Sequence, residues 1–299
     1  MREDAATTGW GDSFRPLTPS EFEKIRRMAY ETCGLDLKPG KQALVAARLG
    51  KYLRNASFRT FEEYCRHVEQ DTTGEALTAM MDALTTNYTS FFREPAHFEF
   101  LGRIWPELRG RDGLQLWSAA CATGEEPYSI AMTLLELSGA ASPPPRLLAT
   151  DISTRALAVA QDGIYGAEKL QPVRRDWFAK YFLRGEGPRK GCYQVTPAVR
   201  SAVEFRRFNL IESPLPAGAF QVVFCRNVMI YFDKPTQERV IKRLAQTIEP
   251  GGYLFIGHAE SLAGIDHPFS YVRPAIYRKK SSGWPPPGRS RPFGRVAWL

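Results

Sequence analysis

Four stretches in the first third of the chain carry apolar residues at three- and four-residue spacing. Residues 18–30 (TPSEFEKIRRMAY), 41–54 (KQALVAARLGKYLR), 60–70 (TFEEYCRHVEQ) and 75–86 (EALTAMMDALTT) read as amphipathic helices. Thr18 or Ser20, each followed by acids, signals the first helix start. The pattern predicts an all-helical domain over 16–86, behind a flexible tail at 1–15. From residue 87 the rhythm changes. A helix at about 95–109 leads to a strand at 114–118, a helix at 125–138, a strand at 146–150 and a helix at 154–162, with Ser142–Pro145 as a loop. Strands alternating with helices predict a parallel sheet. Residues 175–205 break the alternation: GEGPRKGCYQV is turn-rich, then β-like, and reads as a small antiparallel insert. The alternation resumes with VVFC (222–225), a helix at 235–248, the turn Pro250-Gly251-Gly252, the strand YLFIG (253–257) and a β segment closing near 278. The expected fold is α/β: a doubly wound, Rossmann-like domain over 87–280 with a β insert, preceded by the helical domain. Residues 281–299 are rich in Pro and Gly and are expected to be disordered.

The bulk numbers narrow this picture only a little. The 299 residues allow two domains, and 43% hydrophobic content is that of an ordinary globular protein. No apolar run reaches the roughly 18 residues of a membrane span, and MREDAATTGWGD lacks the apolar core of a secretory signal. Five scattered cysteines without a CxxC pair point to a reducing cytoplasm. A formal charge of 40 − 32 = +8 suggests an acidic partner, whether nucleic acid, anionic membrane or an acidic protein surface, without choosing among them.

The candidate chemistry centres on Leu116 to Met132, LWSAACATGEEPYSIAM: a strand end, a turn of small residues around Gly124, and a helix start. Doubly wound proteins hold nucleotides and their relatives at such a place, where unpaired N–H groups and the helix dipole face the ligand. The following strand ends at Asp151, a position that typically binds ribose hydroxyls; a helix N-cap by Asp151 or Ser153 is the alternative. Glu125 and Glu126 at the helix start would repel a pyrophosphate, so a cationic, phosphate-poor nucleoside is favoured, and S-adenosylmethionine fits best. Arg226 and Asn227 follow the apolar strand VVFC and face the ligand side of such a sheet; Asn227 as a loop cap is the alternative. Tyr231 reaches the same crevice or packs in the core. Asn209 of FNL is a candidate for an adenine edge.

Two further clusters stand out. TTNYTSFFREP (85–95) offers Asn87 and Thr89 for polar contacts and Arg93 as a planar donor suited to a carboxylate. Residues 38–59 hold six Lys/Arg and no acid. Lys41, Arg48 and Lys51 share one helix side, a docking surface for an acidic, elongated partner or a solvated face packed on the core. The four histidines (67, 97, 258 and 267) show no ligand spacing, and no metal is expected.

Together the segments TNYTSFFRE, WSAACATGEEPYSIAM, ATDIST, FNL, FCRNVMIYFD and PGGYLFIGHAESL resemble the chemotaxis receptor methyltransferases, the CheR family, in that family's order. The resemblance implies transfer of a methyl group from S-adenosylmethionine to receptor glutamates, by a helical domain joined to a methyltransferase domain. It implies a cofactor site of Asn87, Thr89, Arg93, Glu126, Asp151, Asn209, Leu210, Cys225 (through its backbone), Arg226 and Asn227, with Arg93 and Tyr231 nearest the chemistry. It leaves open which of Glu125 and Glu126 faces the ligand. Lys41, Arg48, Lys51 and Arg54 would dock the cytoplasmic helices of the receptor. Gly185, Gly187 and Gly191 match the G-x-G-x-x-x-G loop of those members that bind a receptor's C-terminal tail peptide. A monomer that meets membranes only through receptors is expected. A nucleic-acid methyltransferase is the rival reading, but Cys225-Arg226-Asn227-Val228 stands where methylation of base amino groups uses [DN]PP[YF], and there is no Pro-Cys pair. A non-catalytic binding module is the third, opposed by intact Arg93 and Tyr231.

Overall fold

The computed structural model describes residues 15–56, 58–109, 113–139 and 146–281. The tails read at 1–15 and 281–299 lie, but for one residue each, outside them, as does the loop 142–145.

The helical domain comprises α1 (Pro19–Cys33), α2 (Gln42–Asn55), α3 (Phe61–Gln70) and α4 (Glu75–Leu84). Thr18 is the cap of α1. Its hydroxyl accepts from the Glu21 N–H and its own N–H donates to the Glu21 carboxylate, a reciprocal box that satisfies two helix-end donors. The same carboxylate is buried and accepts the Glu62 N–H at 2.9 Å, so one side chain fastens α1 to the start of α3. Ile25, Val45, Leu49, Leu53, Tyr64 and Met80 are fully buried between the helices.

The second domain opens with α5 (Ala96–Leu108), β1 (Gln115–Ser118), α6 (Glu125–Ser138), β2 (Arg146–Asp151) and α7 (Thr154–Asp162). A small antiparallel sheet follows: β3 (Ile164–Gly166), α8 (Arg175–Tyr181), β4 (Phe182–Arg184) and β5 (Cys192–Val195), ordered β3-β5-β4. After the single turn α9 (Pro197–Arg200) the main sheet continues with β6 (Val203–Arg207), β7 (Phe220–Phe224), α10 (Lys234–Thr247), β8 (Ile248–Phe255), β9 (Phe269–Arg273) and β10 (Ile276–Lys279). The main sheet runs β6-β2-β1-β7-β8-β10-β9, its first five strands parallel and the last two antiparallel. Neighbouring side chains on the central strand point to opposite layers: Leu116 joins the core beneath α5 and α6, and Trp117 the core beneath α10. Both faces are covered, which is why FQVVF of β7 is buried at every position.

Two expectations change. The insert begins at Ile164 rather than near 175, because β3 pairs with β5. Residues 203–205, assigned to the insert, belong to the main sheet, where Val203 sits opposite Leu147 on β2. Pro250-Gly251-Gly252 is no turn before a strand but an irregularity inside β8. There Gly252 lies so close to β7 that a Cβ would stand 3.0 Å from the Gln221 carbonyl.

The domains meet along the carboxyl edge of the sheet. The Asn209 amide donates to the Thr32 carbonyl at 2.6 Å, the Asp36 N–H to the Tyr231 carbonyl at 2.9 Å, and Thr154 Oγ1 to Asp82 at 2.7 Å. Gly34, the C-cap of α1 at φ 72°, makes this approach possible: a Cβ there would lie 2.6 Å from Thr236 Cγ2. Gly34→Ala is therefore expected to cost about 2 kcal/mol from left-handed strain and overlap. Adding Thr236→Ser should recover part of the loss, as read by urea unfolding; equal stability of Gly34→Ala and wild type would contradict the contact.

Candidate active site

The parallel strands end together. Ser118 of β1 pairs with Ala149 of β2 and Phe224 of β7, so the residues just beyond these strands share one rim. The chain leaves β1 toward β2 in one direction, and β7 lies on its other side. That is the topological switch point at which open α/β sheets bind ligands. A cavity of about 350 Å³ opens there.

The turn after β1 is shaped by backbone bonds. Ala119 N–H donates to the Phe224 carbonyl, Cys121 N–H to the Thr150 carbonyl, and Ala122, at φ 47°, donates to Asp151 Oδ2 at 2.8 Å. Gly124 holds φ 96°, and a Cβ on it would meet Ala160 and Tyr165 at 2.8 Å. The alanines keep the turn narrow and line the cavity through Ala119, Ala120 and Ala122.

The two acids that follow have different jobs. Glu125 is fully buried, pairs with Lys169 at 2.5 Å, accepts from Thr123 at 2.6 Å, and does not line the cavity. Glu126 does. It accepts from Ser118 Oγ at 2.7 Å and from Arg226 Nη1 at 3.0 Å. Burial raises the Glu126 pKa despite the guanidinium beside it. Both carboxylates thus have cationic partners, and the sequence-based repulsion of a pyrophosphate is weaker than two free acids would give.

Arg226 is buried and bridges Glu126 to Glu94 Oε2, 2.9 Å from its Nη2, which also donates to the Arg93 carbonyl. Burial pushes the Glu94 carboxyl up, but Arg226, the His258 N–H and Asn227 outweigh it and hold the pKa below the usual value. Asn227, at φ 58°, donates its N–H to Glu260 at 2.9 Å and its amide to Glu94 at 3.3 Å. Glu260 also takes the N–H groups of Gly257 and Met229, so two carboxylates clasp the loop after β7.

The cavity wall includes Asn87, Thr89, Arg93, Glu126, Asp151, Asn209, Leu210, Arg226, Asn227 and Tyr231, ten of the eleven residues expected at the cofactor or the chemistry. The eleventh, Cys225, is not among the lining residues. It is fully buried in the α10-side core and its N–H is spent on the Phe255 carbonyl in the sheet. Asp151 caps the turn through Ala122 and Ser153, and Ser153, not Asp151, is the N-cap of α7. Asn209 lines the wall; its amide donates to the Thr32 carbonyl and its oxygen accepts from the Ile211 N–H. Arg93 donates to the Tyr88 carbonyl and lies over the Tyr88 ring at 5.6 Å.

The sequence reading missed that the helical domain is one wall. Leu35, Asp36, Leu37 and Lys38, in the loop after Gly34, line the cavity beside Tyr231. Of the basic cluster, Lys41 and Arg48 also face it, and the Arg48 guanidinium is committed to the Leu84 carbonyl and Thr86, not free for a partner. Lys51 and Arg54 are exposed. Gly185, Gly187 and Gly191 lie between β4 and β5, outside the cavity. Gly187 and Gly191 have positive φ, and a Cβ on Gly185 would strike the Arg189 carbonyl at 2.3 Å, so the loop needs these glycines for its own shape.

This fold and site define an S-adenosylmethionine-dependent methyltransferase with a helical domain closing its cofactor cavity. Residues 20–85 match the family description "CheR methyltransferase, all-alpha domain", and residues 87–277 match "CheR methyltransferase, SAM binding domain". Chemotaxis protein methyltransferase 2 of Pseudomonas aeruginosa is 40% identical over 262 residues, covering 87% of this chain and 93% of that protein. The chemotaxis protein methyltransferases of Klebsiella aerogenes (41% over 261 residues, 86% and 88% covered) and Escherichia coli (36% over 263 residues, 87% and 91%) are similar over the same extent. The chain belongs to the CheR methyltransferase family and is a chemotaxis methyltransferase that uses S-adenosylmethionine. Among the described residues no helix is long and apolar enough to cross a membrane.

Arg226→Met should cost about 3–5 kcal/mol at pH 7, because it leaves Glu94 and Glu126 as unpaired buried charges. Without the guanidinium both folded-state pKa values rise, so the variant's deficit should shrink as pH falls and the carboxylates protonate. Urea unfolding at pH 7 and pH 5 measures both; a deficit that does not change with pH contradicts the pairing.

Proposed function

We propose that this enzyme methylates glutamate side chains on the cytoplasmic helices of chemoreceptors, giving methyl esters for sensory adaptation. The observation that carries this reading is the character of the cavity's ionisable groups. Asp151 is held by backbone N–H groups, Glu126 by Arg226 and Ser118, and Asp36 is paired with Lys38. Among the described residues no histidine lines the cavity. A site without a poised base suits a nucleophile that arrives already ionised, and a glutamate, with pKa near 4.3, does.

The residues present fit the cofactor: a narrow small-residue turn at the strand ends, with Asp151 and Glu126 beside it. When bound, S-adenosylmethionine supplies an electrophilic methyl group on a sulfonium. The transfer forms one carboxylate oxygen–methyl bond as the methyl–sulfur bond breaks; the electron pair stays on sulfur and no proton moves. What the protein contributes is position and exclusion of water. Arg93, anchored over Tyr88, is the donor fork that orients the incoming carboxylate or the cofactor. Tyr231, tied through its carbonyl to Asp36, shapes the methyl pocket.

Docking of the substrate is assigned to Lys41, Lys51 and Arg54, with Lys38 and Arg93 near the mouth, a basic surface matched to an acidic helix. A receptor's C-terminal tail peptide would add to β4, one of the two edge strands of the small sheet, where Leu183 is half exposed. The enzyme is taken to act as a monomer in the cytoplasm and to reach membranes only through receptors.

The test combines methyl-labelled S-adenosylmethionine with membranes containing a chemoreceptor, followed by base treatment. Volatile labelled methanol is expected; base-stable label would mean another acceptor atom and overturn the reading. Arg93→Ala should lower turnover by about 10²-fold with the melting temperature unchanged, and full activity would remove Arg93 from its role. Lys51→Glu with Arg54→Glu should raise the receptor KM several-fold at low salt, with less effect at high salt and little change in kcat.

A further inference from the structure

We propose that Glu94, His97 and His258 form a binding site for a divalent transition-metal ion of the zinc class, set behind the wall of the cofactor cavity. Glu94 and His97 stand three residues apart in one segment, and His258 comes from a segment far away in sequence. Glu94 sits at φ 59° just before α5, His97 lies in the first turn of α5, and His258 follows β8. Their donor atoms all lie within 4.8 Å of one another, with Glu94 Oε2 3.5 Å from His97 Nδ1.

His97 is the observation that asks for a ligand. Its side chain is fully buried, yet neither ring nitrogen has a hydrogen-bond partner in the protein. Leaving such a group unsatisfied forfeits the hydrogen bonds it would make to water and destabilises the fold. The ring is held edge-on between Phe255 and His258, at 5.4 Å and 5.0 Å between centroids, which fixes its orientation without satisfying its nitrogens.

Two imidazole nitrogens and one carboxylate oxygen suit zinc and its neighbours, and three protein ligands leave a fourth position for water. His258 is exposed, which supplies an entry path and a side chain free to swing onto the ion. Glu94 is shared: Arg226 holds the same Oε2 that faces His97. A metal and the guanidinium compete for that oxygen, and Arg226 lines the cofactor cavity. Occupancy of the metal site therefore loosens Arg226 and weakens cofactor binding, and the linkage is reciprocal.

Full-length protein without a polyhistidine tag, stripped with a chelator, is titrated with Co²⁺ and followed by visible d–d absorption. Saturation at one equivalent, displaced by Zn²⁺, is expected. His258→Ala, which changes an exposed side chain, should abolish it, and His67→Ala, an exposed histidine on α3, should not. Absence of saturable uptake, or uptake unaltered by His258→Ala, overturns the site and leaves His97 to an ordered water. In calorimetry, Zn²⁺ should weaken S-adenosylhomocysteine binding several-fold in wild type and not in His258→Ala; unchanged affinity in zinc-loaded wild type overturns the link to the cavity.

Discussion

The buried Arg226 guanidinium is the interaction on which the site depends. It binds Glu126 from the start of α6, Glu94 from the segment before α5, and the Arg93 carbonyl. Three stretches of chain are thereby fixed together at the ends of β1 and β7. Desolvating this cation is costly, and its attraction to the two carboxylates offsets the cost only while both are in place. The arrangement is therefore all-or-none, as a catalytic wall has to be. Arg93 is placed by its main chain, through Arg226, before its side chain reaches the cavity.

The helical domain does more than precede the catalytic one. Gly34 turns the end of α1 so closely against Thr236 that the following loop, Leu35 to Lys38, closes the cavity beside Tyr231. Basic residues that read along the helix as one docking face divide once folded. Arg48 stabilises the end of α4 and lines the cavity, while Lys51 and Arg54 remain in solvent. A helical wheel shows which residues share a side; it does not show which neighbour that side meets.

The acids at the start of α6 teach a related lesson. Adjacent in sequence and alike in chemistry, they face different partners: Glu125 goes to Lys169 and Glu126 to Arg226. Helix geometry alone separates neighbouring residues by about 100°, so one faces the small β-sheet side and the other the cavity. A charge argument that counted both toward the ligand overestimated the local negative potential.

Local physics was enough for much of this protein. The 3.6-residue periodicity, the Thr18–Glu21 capping pair and the alternation of apolar strands with helices located the four N-terminal helices, the doubly wound sheet and the turn around Gly124. Those signals depend on near neighbours, which a sequence displays directly. Part of the cavity wall, Asp151, Arg226 and Asn227, was legible because residues just past parallel strands must face the same edge, whereas Asn87, Thr89, Arg93, Glu126 and Leu210 were placed at the cofactor by the family resemblance. What the sequence could not display was pairing at a distance: that Val203 joins β2 rather than the insert, that Cys225 turns into the core, that Glu94 and Glu260 clasp the loop after β7, and that His97 and His258 meet edge to face. Each of these is decided by strand register and domain contact, where burial of both faces of the sheet selects one arrangement among many that the local pattern allows.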